Sequence, residues 1–148
     1  MVFEPKRVLN GTHGHLWLNG SQVAEAIGCE AAVELVTEEI PQGGELQSGE
    51  KVVGRNGTGK LTLHKVTSRM IKAMSEDMKN HRQTEFTLIS AVTDPDAYGS
   101  ERVKLTGVIF NKLPLIGWEL KKQLKEELDF KFRDWDVIDT IDESNLGG

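Results

Sequence analysis

The run Gly54-Arg55-Asn56-Gly57-Thr58-Gly59-Lys60-Leu61 fits the G-x-x-x-x-G-K pattern of a phosphate-cradling loop. Such a loop next needs Ser or Thr to ligate magnesium, and it must open a helix whose N-terminal amides face the phosphates. Leu61 occupies the magnesium position and an alternating strand pattern follows it, so the run reads as a loop entering a strand. His13 and His15 flank Gly14 and would share one side of a strand, a start for a metal site, but His64, His81 and Cys29 show no ligand spacing around them. Cys29 falls on an apolar strand face and reads as a small buried hydrophobe, with no partner indicated for a Cys–His pair. No serine has a nucleophile-elbow context. Glu25, Glu30, Glu34, Glu38, Glu39, Glu126, Glu127 and Asp129 could do acid–base work if a cleft raised one pKa. Buried carboxylates are uncommon, so these read as a solvated sheet face. The expectation is no catalytic residue, no metal ligand and no cofactor.

Elements that could position any of these residues must fit within 148 residues, the length of one compact domain. Hydrophobic residues make up 38% and charged residues 28%, which implies a modest core. A net charge of −5 argues against general binding to phosphate backbones, which needs clustered Lys and Arg. Cys29 is the only cysteine, which excludes an intrachain disulfide. No apolar run is long enough to span a membrane. The first residues, Met1-Val2-Phe3-Glu4-Pro5-Lys6-Arg7, lack the apolar core of a secretory signal, so a soluble protein made in the cytoplasm is expected.

Residues 1–12 read as an extended arm, 13–141 as the domain and 142–148 as a tail. Asn19-Gly20 between apolar runs is a hairpin signal, because both residues tolerate the positive φ of a type I′ turn. In the long strand that follows, Val23, Ile27, Cys29, Ala31, Val33 and Leu35 take odd positions, and Glu30, Glu34 and Glu38 even ones. A period of two puts them on opposite faces. Residues 41–59 read as a polar, glycine-rich loop, long for a small domain and therefore a functional candidate. Met70, Met74 and Met78 at four-residue spacing, with Ser68 as cap, predict one helix over 68–80. Strands resume with Phe86 and Leu88, with Val103, Leu105, Gly107 and Ile109, and with Leu124, Leu128, Phe130 and Phe132. Six or seven strands and one helix predict a mainly β fold, an antiparallel sandwich or barrel with a flanking helix.

Four runs in order resemble the tail tube protein family of contractile-tailed phages and phage-tail-like particles, of the PBSX defective-prophage type. They are Gly11-Thr12-His13-Gly14, Gly57 to Val66 with Ser68, Asp94-Pro95-Asp96-Ala97-Tyr98-Gly99-Ser100-Glu101-Arg102, and Phe130 to Asp136. The resemblance implies a non-enzymatic structural subunit without cofactor, closing with neighbouring subunits into a tube of stacked hexameric rings. Its partners would be further copies, the tail sheath, tape-measure, baseplate and tail-terminator proteins. DNA or ions would pass through without specific binding, there would be no stable membrane association, and assembly would take place in the bacterial host cytoplasm. The particle would be a phage virion or a bacteriocin-like tail. Within that frame Glu30, Glu34 and Glu38 are lumen-facing candidates. Gly43, Gly44, Glu45, Glu50, Lys51, Arg55 and Asn56 are inter-ring loop candidates. The competing expectations are a small β-rich adaptor or binding module at a particle end, and a hydrolase, for which no carboxylate pair stands out.

Overall fold

A computed structural model of the chain describes residues 4–41, 43–44, 48–96 and 99–141. Its strands are β1 (Gly14–Leu18), β2 (Ser21–Gln22), β3 (Ala26–Ile40), β4 (Gly49–His64), β5 (Phe86–Thr93), β6 (Ser100–Phe110), β7 (Lys125–Phe132) and β8 (Asp134–Asp139), with helix α1 (Arg69–Lys79) between β4 and β5. They form one antiparallel eight-stranded sheet in the order β2-β1-β5-β6-β7-β4-β3, with β8 pairing β6. Leu16 and Leu18 of β1 share one core cluster with Leu61 and Leu63 of β4. These strands are far apart in the sheet order, so the sheet must curl on itself. The result is the expected mainly β architecture with one helix. The acidic, aromatic segment 134–139 supplies the strand that the sequence pattern did not resolve.

The local signals act as their chemistry requires. Asn19 and Gly20 both have positive φ, 50° and 86°, and their two-residue turn sets Trp17 opposite Gln22. In β7, Glu126, Leu128, Phe130 and Phe132 point inward while the residues between them face solvent. Met70 and Met74 of α1 are buried and Met78 at its end is exposed. Ser68 precedes the helix as expected but makes no side-chain capping hydrogen bond. The helix start is held instead by Arg69, whose Nε donates to Glu25 Oε1 at 2.8 Å.

Strand β6 departs from simple alternation. Phe86 lies opposite Val108 and Leu88 opposite Leu105, so β6 spends one extra residue there. Gly107 adopts φ +65° at this bulge, and the inward phase changes from odd to even. Val108 and Phe110 are therefore buried, and Ile109 is not. The expectation that Val103, Leu105, Gly107 and Ile109 line one face fails because a bulge resets the period. An aromatic row then crosses the core: Phe86–Phe110 at 5.3 Å between ring centroids, Phe110–Phe130 at 5.6 Å, Phe130–Phe132 at 6.4 Å and Phe132–Trp135 at 6.5 Å.

The reading of 41–59 as a loop is overturned. Residues 49–59 belong to β4, and Gly49–Ile40 is the outermost pair of a hairpin in which β3 has 15 residues and β4 has 16. Glycine here does not mark a turn. A Cβ on Gly59 would lie 2.3 Å from the Phe130 ring, and one on Gly57 would lie 2.6 Å from Phe132. Both glycines are the floor on which the two rings rest.

The arm is tied to the domain. Residues Pro5–Arg7 and Gly11–His13 form short 3-10 turns. Asn10 donates its backbone N–H to Asp94, and an Arg7 guanidinium N–H donates to the Asp96 carbonyl at 2.9 Å. Asp94 is buried. The Asp96 amide donates to it and outweighs the opposing effect of desolvation. With the Asn10 amide and the charge of His13, this holds the Asp94 carboxyl below its ordinary range.

Candidate functional site

The residues singled out for chemistry are scattered. The P-loop-like run lies inside β4, where Gly57 and Gly59 serve Phe132 and Phe130. Among the described residues, no group of three or more His, Cys, Asp and Glu side chains could hold a metal ion. The buried carboxylates Asp94 and Glu126 both have structural partners, Glu126 pairing with Lys65 at 3.1 Å. Cys29 is exposed rather than buried, because β3 runs past the edge of the core. Its thiol is pushed up to about 11 by desolvation among its neighbours and by the charge of Glu30.

What the fold builds instead is a projecting hairpin. Strand β4 pairs with β7 only from Gly57 to His64. Beyond Gly57, β3 and β4 have only each other, and β3 is the outer strand of the sheet. Every residue of β3 from Ile27 to Ile40 is exposed. An isolated two-stranded hairpin is marginal in water, and an open edge presents unpaired N–H and C=O groups to another chain. Val33, Leu35, Val36, Ile40, Val52 and Val53 are all exposed on this hairpin.

The two faces differ. Glu30 lies opposite Lys60, Glu34 opposite Asn56 and Glu38 opposite Lys51, so the three glutamates share a face as their spacing predicted. Lys131 joins that face through its register with Thr58, and Lys60 is paired with Glu127 at 3.3 Å. The face is therefore acidic with interspersed cations. The other face continues from the Phe130–Phe132 row and carries Cys29, Ala31, Val33 and Leu35. There Arg55 sits 4.6 Å from the Trp135 ring centroid and 3.6 Å from the Asp134 carboxylate. That cluster was not anticipated, because nothing in sequence spacing joins residues 55 and 135. Of the inter-ring candidates, Glu50, Lys51, Arg55 and Asn56 lie on β4 rather than in a loop, Gly43 and Gly44 lie in the turn, and Glu45 is outside the described residues.

A family model described as phage tail tube protein matches residues 1–139. The chain belongs to the phage tail tube protein family. Two Bacillus subtilis (strain 168) proteins agree with that assignment. YqbM is 34% identical over 143 residues, covering 95% of this chain and 97% of its own. The phage-like element PBSX protein XkdM is 32% identical over 146 residues, covering 97% and 99%. Among solved structures, the tube-terminating cap of the anti-feeding prophage superposes with a TM-score of 0.75 at 9% identity, covering 95% of each chain. At that identity the likeness concerns the fold. The chain is thus a structural component of a phage tail or tail-like particle.

Proposed function

We propose that the chain is the subunit of an inner tail tube, assembling into hexameric rings that stack into a conduit for DNA or ions. The observation that carries this reading is the hairpin, two-stranded beyond Gly57 and exposed on both faces. Each copy offers two open edges, the outer side of β3 and the distal outer side of β4. Pairing one with the other on successive copies is a heterologous contact that closes into a ring when the rotation allows and leaves no free edge. Glu30, Glu34 and Glu38 then face the lumen, where an acidic lining repels a phosphate backbone and lets it slide. The hairpin tip, with Gly43, Gly44, Glu50 and Lys51, meets the next ring, Arg55 and Asn56 lie just behind it, and Glu45 stays a candidate from the sequence alone. Sheath outside, tape-measure inside, and baseplate and terminator at the ends complete the set of partners.

Purified full-length chain viewed by negative-stain electron microscopy should show hollow tubes of uniform bore. Glu30→Lys with Glu34→Lys should leave tubes intact and lower the titre of infectious particles; an unchanged titre refutes the lumen assignment. A second reading, an adaptor at a particle end, draws on the fold shared with a tube-terminating cap. Single rings that never elongate would favour it.

A further inference from the structure

Between β6 and β7 runs a segment of irregular backbone, residues 111–124, interrupted by Pro114 and Gly117. Apolar side chains there are strongly exposed: Ile116 is 87% exposed, Leu120 84% and Trp118 70%. Lys112, Lys121 and Lys122 accompany them against a single carboxylate, Glu119. The Lys122 amide donates to the Glu119 carbonyl at 3.2 Å, its ammonium pairs with the exposed Glu119 carboxylate at 2.7 Å, and Lys121 takes a φ of +65°. A defined turn thus presents two lysines, of which only Lys122 is paired within the segment, beside Trp118 and Leu120. Exposed apolar groups clustered this way on a soluble domain mark an interaction site.

The distal hairpin has the complementary character. On the face carrying Leu35, which is 63% exposed, Val33 and Val52 are exposed as well. Glu39 and Glu50 stand directly opposite each other, and like charges in register destabilise a strand pair. Neither has a cationic partner among the described residues. The two surfaces do not adjoin at their roots. The segment departs beside Asp129, which registers with Lys60, and returns at Leu124, whose carbonyl accepts from the Lys65 amide. Val33 lies opposite Gly57, only about 10 Å along β4 from Lys60, but Lys122 is two residues from Leu124, and Glu50 lies about 50 Å from Lys65 along the line of β4 at about 3.3 Å per residue.

We propose that segment 111–124 of one copy docks on the Leu35 face of the distal hairpin of a second copy, Trp118 and Leu120 covering Val33, Leu35 and Val52 while Lys121 and Lys122 meet Glu39 and Glu50. The contact joins unlike patches, so it propagates from copy to copy rather than closing as a dimer. It rests on the tube reading only in requiring that copies associate.

The test uses the full chain in a Cys29→Ser background with Thr37→Cys and Gly117→Cys together, positions that flank the contact and keep Leu35, Trp118 and Leu120 in place. Thr37 registers with Val52, and a Cβ on Gly117 meets nothing within 4 Å. Oxidation of the assembled protein should give a covalent ladder on a denaturing gel, and each single-cysteine chain should give at most dimer. A second arm reverses charge at exposed positions outside the core, where Lys122 gives up its exposed pair with Glu119 and rescue by the partner substitutions separates lost docking from a disturbed turn. Lys121→Glu with Lys122→Glu should raise the protein concentration needed for assembly about tenfold or more, and adding Glu39→Lys with Glu50→Lys should restore it. Tubes without the ladder, or charge reversal without rescue, overturn the contact. A ladder without hollow tubes supports the contact and overturns the tube.

Discussion

Gly59→Ala is the sharpest test of how β4 is built. In a strand, Gly→Ala ordinarily removes backbone entropy from the unfolded chain and stabilises by about 0.4–1 kcal/mol where the conformation is compatible. Here the added Cβ would lie 2.3 Å from Cζ of Phe130, 2.6 Å from its Cε2 and 2.5 Å from the Glu30 carbonyl oxygen. Carbon atoms prefer about 3.5–4.0 Å, so the ring would have to retreat by more than an ångström. Phe130 is only 1% exposed and is flanked by Phe110 at 5.6 Å and Phe132 at 6.4 Å, which leaves it nowhere to go. Overpacking costs about 1–3 kcal/mol or somewhat more. Displacing the ring also forfeits part of the roughly 3–5 kcal/mol carried by a core Phe. A net loss of about 3 kcal/mol is expected. With a urea slope of about 1.5 kcal/mol per molar, the unfolding midpoint should fall by about 2 M. Gly28→Ala is the control, since nothing lies within 4 Å of its added Cβ; it should stabilise by about 0.4–1 kcal/mol. Chemical denaturation of the three proteins under conditions that keep them monomeric decides the matter. A Gly59→Ala protein as stable as the Gly28→Ala protein would refute the claim that the glycine is a floor for the ring.

Gly20→Ala should cost about 1–2 kcal/mol, because the residue holds φ +86° in open space and only the backbone conformation resists; an unchanged melting temperature would argue against the type I′ turn. Arg69→Met should destabilise by about 1–3 kcal/mol through loss of the charged hydrogen bond to Glu25. Burial opposes ionisation of Glu25, but the Arg69 hydrogen bond and charge, with a hydrogen bond from its own backbone amide, lower its pKa overall. Its stabilisation is therefore present above the unfolded carboxylate pKa and fades as pH falls through the folded value. Acid titration of stability should show that limb in the unmodified chain and lose it in Arg69→Met. Trimming the hairpin turn between Pro41 and Ser48 should leave the monomer fold intact, as Leu16, Leu61 and the other core residues lie elsewhere; a cooperative unfolding transition with an unchanged midpoint checks this.

Signals confined to one element survive into the fold, as at Asn19-Gly20, the methionine stripe of α1 and the alternation of β7. Those that depend on a neighbouring strand do not. Gly57 and Gly59 look like loop composition because the rings that need the space lie some seventy residues further on. Ile109 is misplaced because a single positive-φ glycine two residues earlier reverses the inward phase. Cys29, Val33 and Leu35 carry the alternation of a buried strand yet are exposed. Alternation reports that a face is to be covered without saying by which chain. The Arg55–Trp135–Asp134 cluster is the converse case, visible only once the register of β4 on β7 is known.

The projecting hairpin also bears on how such a tube would begin. In the free subunit its distal half has no third strand and no core of its own among the described residues, so in the proposed tube most of its stability would come from neighbours and rise with their concentration. The first copies to meet must order their hairpins against one another with few contacts in return, whereas a copy arriving at a finished rim finds a rigid template. Growth should then show a lag and a critical concentration, both abolished by preformed seeds. Subunits could thus remain monomeric in bulk solution and polymerise only where an initiating platform supplies the first edge.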